Sequence, residues 1–472
     1  MYYLTKKIAI IGAGPGGYVA AIRAAQLGAD VTLIENVRVG GTCLNRGCIP
    51  TKTYFTNAKI LSDMRRANEF GIEVDGFRMN GKALLKRKEE VVENIVGGVE
   101  KLISSYKNIE LIDGKARFEN ANTLKVTLKN GEEKIVTADE IIIATGSSAQ
   151  MTETKGVDLE GVITSDELLE LDEIPETLIV VGGGVIGLEF ASIYKELGSN
   201  VILLASRILK DGDKEIAKRL TPTLKKQGIE VYVDIRAKEI LREDGKLKVI
   251  AKYKEKDEEI TVEGNYVLIA SGRAPNVEGL ELDKVGIEYS PKGIKVDENF
   301  ETTVPHVYAI GDVNSRGIQL AHVASAQGEY VVERILGENP DINLDVYPSC
   351  VFTMTEVAQV GFTEEKLKEM GREYKVSKFM FSANGKAVTL GEAEGIVKII
   401  ASPDDMILGV HILGPHANDL IHEGALAIAN KLDAKAITRT IHAHPTLSEA
   451  FSEATLGLDD KAIHMVSKRK KK

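Results

Sequence analysis

Residues 7–35, KIAIIGAGPGGYVAAIRAAQLGADVTLIE, read as strand, tight turn, helix and strand. The β-branched run stops at Gly12, small residues then recur at helical spacing, and a second apolar strand, Val31 to Ile34, ends on Glu35. Gly12, Gly14 and Gly17 have separate tasks in such a pattern. The first turns the chain, the second lets the backbone approach a pyrophosphate, and the third lets the helix pack close to the strand. The phosphates then face unpaired N–H groups at the helix N-terminus. Glu35, at the expected spacing, can accept hydrogen bonds from ribose hydroxyls. Residues 178–206, LIVVGGGVIGLEFASIYKELGSNVILLAS, repeat the plan about 170 residues further on. One fingerprint is a weak signal, but two, each set between strand and helix, predict two dinucleotide-binding domains.

The second unit, with Gly182, Gly184 and Gly187, lacks the acidic partner. Counting the same 23 residues from its first glycine lands on Ala205, followed by Ser206, Arg207 and, further on, Lys210. A carboxylate there would bind the free ribose hydroxyl of NAD, whereas cations and a hydroxyl suit the 2′-phosphate of NADP. The reading leans to NADP, with NAD as the alternative if Arg207 and Lys210 are plain surface charges.

Between the two units lie a helical stretch, residues 54–107, and short alternating strands. IIIATGS at 141–147 and YVLIASGRAPN at 266–276 are similar strand-to-glycine junctions and candidate crossing points between domains. TTVPHVYAIGDV at 302–313 is a third strand ending on a glycine turn. From about residue 345 strands mix with helices and no further fingerprint appears. The predicted class is α/β, with two Rossmann-like domains and an α+β C-terminal domain.

A chain of 472 residues is too long for one core. With 60 basic against 70 acidic side chains the net charge is -10, which argues against a general nucleic-acid binder. The terminal SKRKKK reads as a solvated tail. No apolar run reaches the length of a membrane span, and the apolar N-terminus passes directly into a glycine turn without a cleavage site, so a strand is read there and a cytoplasmic location is expected. Three cysteines cannot build a disulfide framework.

Two of those cysteines fall in GGTCLNRGCIPTK, residues 40–52. In an undistorted helix, residues five apart have Cα atoms roughly 8.6 Å apart, beyond the roughly 7 Å reach of a disulfide. Cys43 and Cys48 can bridge only across an irregular turn. Gly47 permits one, and Pro50 can sit where regular helix resumes. Metal binding competes, yet no second cysteine pair or nearby histidine completes a zinc site; two unreactive buried thiols are the plainer alternative. Far downstream, His444 and Glu449 in HAHPTLSE are five apart across a proline, so a turn can bring the carboxylate to the imidazole and orient it. His442 reads as an ordinary histidine.

GGTCLNRGCIPTK resembles the redox-active segment of the flavin-dependent pyridine nucleotide-disulphide oxidoreductases, closest to their dihydrolipoamide dehydrogenase branch. The likeness covers roughly residues 5–460 and includes ATGS at 144–147, YAIGD at 308–312, LAH at 320–322, ANGKA at 383–387 and HAHPTLSEAF at 442–451. It implies an FAD-binding domain in two parts, 1–147 and 273–344, an NAD(P)-binding domain, 148–272, and a dimerisation domain, 345–472. The first fingerprint would hold the ADP half of FAD, with Thr42, Thr145, Gly146, Gly311, Asp312 and Ala321 around the flavin, Asp312 taking its ribityl chain, and Gly272 at the nucleotide site. Lys52, on the same helix as the cysteines, would lie beside the flavin ring with Glu189 as its ion-pair partner. A cation there stabilises negative charge on the reduced ring. Electrons would pass from NAD(P)H to FAD, through Cys48 to Cys43, and on to a substrate disulfide, or in reverse from a lipoamide-like dithiol. His444 would manage the proton for the disulfide of the other subunit, so a homodimer is implied, possibly within a 2-oxoacid dehydrogenase complex.

Three positions depart from the family's pattern. Arg46 stands between the cysteines where a small apolar residue is usual, and a cation there could lower a thiol pKa or exclude substrates. Ala205 replaces the acid for NAD. Met354 and Thr355 occupy a stretch, YPSCVFTMTEVAQVG, where proline normally precedes the glutamate; Cys350 in it reads as a small buried hydrophobe. The alternatives are an NADPH-dependent reductase of another small disulfide, an NAD(P)H oxidase, or a flavoprotein subunit without thiol chemistry. Mercuric reductase is disfavoured by the lack of a vicinal cysteine pair at the C-terminus, and glutathione reductase by LSEAF.

Overall fold

The computed structural model describes residues 5–466, so the SKRKKK tail lies outside the described residues. β1 (Lys7–Ile11), α1 (Pro15–Gln26) and β2 (Asp30–Glu35) form the first predicted unit. Ile8, Ala9, Ile10 and Ile11 are all buried, which requires β1 to sit in mid-sheet with both faces covered. α2 (Gly41–Arg46), α3 (Cys48–Arg65) and α4 (Gly81–Ser104) follow. The stretch 54–107 is therefore not one helix. It breaks after Arg65 into a 3₁₀ turn, Ala67–Phe70, which ends on Gly71 at φ 73°. GIEVDGFRMN then runs without helix, because β-branched residues and a second left-handed glycine, Gly76, intervene. Helix resumes where the Asn80 side chain accepts the Ala83 N–H.

β3 (Ile109–Asn120), β4 (Thr123–Leu128), β5 (Glu133–Thr137) and β6 (Glu140–Ile143) extend the first domain, and β7 (Ser147–Ala149) leaves it. The second unit comprises β8 (Val162–Ile163), α5 (Ser165–Leu168), β9 (Thr177–Val181), α6 (Val185–Leu197), β10 (Asn200–Ala205), α7 (Lys214–Lys226) and β11 (Glu230–Val233). An antiparallel layer, β12 (Ile235–Glu243), β13 (Lys246–Tyr253) and β14 (Glu259–Gly264), precedes β15 (Tyr266–Ile269). The parallel sheet here has the order β11-β10-β9-β15-β8. β16 (Arg273–Pro275) pairs antiparallel with β7, so the entering and leaving strands of this unit lie side by side.

After α8 (Leu282–Val285) and the hairpin β17 (Tyr289–Ser290) and β18 (Gly293–Ile294), β19 (Val307–Ala309) returns to the first sheet. That sheet has the order β19-β6-β1-β2-β3-β4-β5. β3 belongs to two layers: it runs parallel to β2 up to Asp113 and antiparallel to β4 from Gly114. α9 (Ala321–Ile335) packs backbone to backbone on α1, where a Cβ at Gly328 would lie 2.6 Å from the Gly16 carbonyl oxygen.

The C-terminal domain consists of β20 (Ser349–Val351), β21 (Glu356–Gly361), α10 (Glu364–Glu369), β22 (Lys375–Met380), α11 (Gly385–Thr389), β23 (Ile396–Ala401), β24 (Ile407–Gly414), α12 (Ala417–Ala429), α13 (Ala434–Thr438) and α14 (Glu449–Leu456). Its antiparallel sheet runs β20-β21-β24-β23-β22. Every residue of β23 and β24 is buried, so this sheet too is covered on both faces. The observed class is α/β, with two Rossmann-like units and an α+β C-terminal domain.

Candidate active site

One cleft of about 2470 Å³ runs from Glu35 past the first fingerprint and the cysteine segment to the second fingerprint and the loop after β10. Gly12 turns at φ 101°, where a Cβ would lie 2.5 Å from the Ala144 carbonyl oxygen; a Cβ at Gly17 would lie 1.8 Å from that of Gly12. The turn and the close packing thus each require glycine. α1 begins at Gly14 with no side-chain cap and no acid in its first turn, so its N–H groups remain available to an anion. α5 and α7, by contrast, are capped by Thr164 and Asp213. Glu35 is fixed at the end of β2 by the N–H groups of Ala13 (2.7 Å), Asn36 and Val37 (both 2.9 Å).

The residues expected around the flavin converge from distant segments. Thr145 Oγ1 donates to the Asn276 carbonyl at 2.7 Å, and Asn276 Nδ2 returns a bond to the Thr145 carbonyl at 2.9 Å, tying the two crossing segments together. Gly146 follows at φ 70°. Gly311 donates its N–H to buried Gln327 at 2.8 Å. Asp312 accepts a 2.6 Å bond from Ser147 Oγ, which in turn accepts from Arg273 Nε at 2.8 Å. Burial pushes the Asp312 carboxyl up, against the opposing pull of Ser147 and Arg273. Ala321 opens α9, another helix without a side-chain cap, and faces the cleft with Thr42. The glycine cradle, the uncapped helix and the Glu35 carboxylate at the end of the cleft fit an adenine dinucleotide.

At the second fingerprint the same geometry recurs. A Cβ at Gly182 would lie 2.3 Å from the Ala270 carbonyl oxygen, and one at Gly187 would lie 2.0 Å from that of Gly182. α6 starts at Gly184 without a cap or an acid in its first turn, and Gly272 sits opposite at φ 149°. Ser206, Arg207 and Lys210 line this end of the cleft. Lys254, which the sequence reading missed, donates to the Ser206 carbonyl at 2.9 Å. It arrives from a hairpin 48 residues away, and no local pattern marks it.

The cysteines are not on one helix. Cys43 lies in α2, Cys48 opens α3, and Gly47 between them has φ -139° and ψ -109°. A Cβ at Gly47 would come 2.9 Å from the Thr42 carbonyl oxygen, so the break needs glycine. Lys52 shares its helix with Cys48 only. Both thiols are free and close enough to hydrogen-bond. The bond from Cys43, and then the Lys52 ammonium, bring the Cys48 thiol down to about 7 against its burial. As donor of that bond, and by burial, the Cys43 thiol is pushed far up. Lys52 Nζ lies 2.8 Å and 3.0 Å from the two carboxylate oxygens of Glu189, which is 4% exposed. Phe352, also missed, positions both: its N–H donates to Glu189 at 3.0 Å and its ring lies 4.4 Å below Lys52 Nζ.

Arg46 Nε lies 3.6 Å from Asp166 Oδ2, in α5, while the charges of Lys52 and Glu189 act on Cys48. Met354 and Thr355 are held from the second domain by Ser192 Oγ (2.9 Å) and Gln227 Nε2 (3.2 Å). Cys350 is half-buried and lines the cleft; burial and then Glu356 push its thiol up to about 11.

His444 Nδ1 lies 2.8 Å from Glu449 Oε1, and Glu449 Oε2 accepts the Thr446 N–H at 3.0 Å. Within one chain this pair does not reach the cysteines. The His444 side chain is 77% exposed, outside the cleft, three residues after Ile441, which is 96% exposed. His442 is instead tucked against Glu423 at 2.9 Å. Among the described residues no group of three or more His, Cys, Asp or Glu is arranged to hold a metal, and no helix is long and apolar enough to cross a membrane.

Residues 6–328 match the family model described as pyridine nucleotide-disulphide oxidoreductase, and residues 347–455 match the dimerisation domain of that family. A dihydrolipoyl dehydrogenase of Bacillus subtilis (strain 168) is 41% identical over 473 residues, covering 97% of this chain and 98% of the relative. The mitochondrial dihydrolipoyl dehydrogenase of Pisum sativum is 40% identical, covering 97% and 92%. Among solved structures, LpdA from Mycobacterium tuberculosis superposes with a TM-score of 0.88 at 28% identity, covering 96% of this chain and 100% of that one. The HOCl-induced flavoprotein disulfide reductase RclA from Escherichia coli gives 0.84 at 28% identity, covering 95% and 99%.

Proposed function

The chain belongs to the pyridine nucleotide-disulphide oxidoreductase family, and we propose that it oxidises dihydrolipoamide with NADP as the nucleotide partner, through Cys43 and Cys48. It is an FAD-dependent oxidoreductase that exchanges electrons between a nicotinamide nucleotide and a dithiol or disulfide, and its dimerisation domain makes it a homodimer. Bound FAD would supply the two-electron carrier between the nicotinamide and the sulfur couple.

The observation that carries the reading is the junction of the two fingerprints. There a thiol couple, broken across Gly47, meets a lysine fixed by a buried glutamate in a single cleft. In the reducing direction His444 of the partner subunit takes the proton of the Cys43 thiol, the thiolate so formed attacks a substrate disulfide, and the imidazolium passes that proton to the substrate sulfur that leaves. The Cys48 thiolate then attacks Cys43, releasing the second substrate sulfur and closing the Cys43–Cys48 bond; two electrons pass to the substrate. Dithiol oxidation is the reverse, with the imidazole accepting the protons. Glu449 holds His444 in one orientation. Ser206, Arg207 and Lys210 favour the 2′-phosphate of NADP because position 205, where a carboxylate would take the free ribose hydroxyl of NAD, is alanine. The lipoamide reading brings with it a 2-oxoacid dehydrogenase complex as the larger assembly, checked by co-sedimentation.

Mixed dimers test the composite site. A Cys43→Ala homodimer and a His444→Gln homodimer should each be nearly inactive with dihydrolipoamide, whereas a heterodimer of the two keeps one intact site and regains activity. Heterodimers as inactive as their parents would reject the shared site. A large preference for NADH over NADPH in steady-state kinetics would reject the nucleotide assignment.

A further inference from the structure

Among the described residues of the C-terminal domain Lys398 is the fully buried lysine, with 1% of its side chain exposed on β23. Its Nζ lies 2.7 Å from Asp213 Oδ2, 2.6 Å from Glu364 Oε1 and 3.5 Å from Glu215 Oε2. Asp213 is wholly buried, and its other oxygen caps α7 by accepting the N–H groups of Glu215 and Ile216 at 3.0 Å and 3.2 Å. The Asp213 N–H in turn donates to Gln359 Oε1, on β21, at 3.3 Å.

Residue 213 ends the loop that follows β10. The start of that loop rests on the second fingerprint: Leu209, at φ 43°, donates its N–H to the Gly183 carbonyl at 2.9 Å, and a Cβ at Gly183 would strike the Arg207 carbonyl oxygen at 2.3 Å. Ser206, Arg207 and Lys210 are thus carried on a loop pinned at one end to its own domain and at the other to the C-terminal domain. A buried pair of opposite charges pays for desolvation that an apolar contact would avoid, and what it adds is a fixed position.

We propose that Lys398 is a positioning residue for the nucleotide: by holding Asp213 it fixes the loop of Ser206, Arg207 and Lys210, so the C-terminal domain sets how tightly the adenosine end is bound. The proposal rests on the reading of that loop as the 2′-phosphate site. It is tested on FAD-loaded full-length dimers carrying Asp213→Asn, which keeps a capping oxygen and loses the charge, Lys398→Met, and Gln359→Ala. Arg207→Ala is the reference. Loss of one charge-assisted hydrogen bond predicts that Asp213→Asn raises the KM for NADPH, and the Kd for adenosine 2′,5′-bisphosphate by calorimetry, by about tenfold. Gln359→Ala shifts both in the same direction, while kcat and the dihydrolipoamide KM hold within about twofold. Lys398→Met should raise both as Asp213→Asn does, and a folded Lys398→Met with parental nucleotide affinity overturns the role of Lys398; if it does not fold, the other two variants decide. A lowered Tm with unchanged nucleotide affinity in Asp213→Asn and Gln359→Ala overturns the tether when Arg207→Ala does weaken binding. An Arg207→Ala enzyme that binds the bisphosphate as tightly as the parent overturns the loop assignment, and the tether with it.

Discussion

Removing the Cys43 thiol should deprive Cys48 of its thiolate at neutral pH. In the reduced protein the Cys48 thiol titrates at about 7 instead of the ordinary 9.0, and the hydrogen bond from Cys43 is the first cause. Two pKa steps correspond to about 3 kcal/mol of preference for the anion. In Cys43→Ala that donor is gone while burial, which opposes the charge, remains, so Cys48 should return to about 9 or above. At pH 7 its thiolate fraction then falls from about one half to about one in a hundred, and alkylation by iodoacetamide slows by the same factor. The assay is the pH dependence of alkylation, with thiolate absorbance as a second readout, on reduced enzyme freed of reductant. Glu189→Gln is the opposite control: its carboxylate raises the Cys48 pKa, so its neutralisation should move the midpoint below that of the parent. A Cys43→Ala midpoint still near 7 would refute the reasoning, and a Lys52→Met midpoint that rises in its place would hand the effect to the ammonium.

Gly17→Ala places a Cβ where only 1.8 Å is available to the Gly12 carbonyl oxygen and should yield protein that does not retain flavin, seen in its absorption spectrum. Gly187→Ala, with 2.0 Å to the Gly182 carbonyl oxygen, should keep flavin and lose nucleotide binding, measured by calorimetry with NADP. Lys210→Ala should lower kcat/KM for NADPH by about tenfold, as for one lost charge-assisted contact, and leave NADH nearly unchanged. Glu449→Gln should slow the dithiol half-reaction by about tenfold or more, less than the full contribution of a positioned base, with the nucleotide half-reaction unaffected in stopped flow.

Chemistry that depends on neighbours in the chain was fully written in the sequence. The two fingerprints, their strand and helix context, the cysteine segment with its glycine break and the histidine–proline–glutamate turn are each set within a few residues, because backbone sterics and hydrogen bonding there are local. The 54–107 stretch shows where this fails: the apolar and charged pattern suits helix on both sides, and only the intervening glycines and β-branched residues open a gap at 66–80. What tertiary structure alone decided are the pairings across long separations. The Phe352 N–H meets Glu189 163 residues away, Ser147 meets Asp312 across 165, and Lys398 meets Asp213 across 185. Arg46 likewise finds Asp166. Such partners are chosen by which sheet faces and helix ends the fold brings together, and burial then makes an unpaired charge costly enough to fix the choice; no local spacing encodes it.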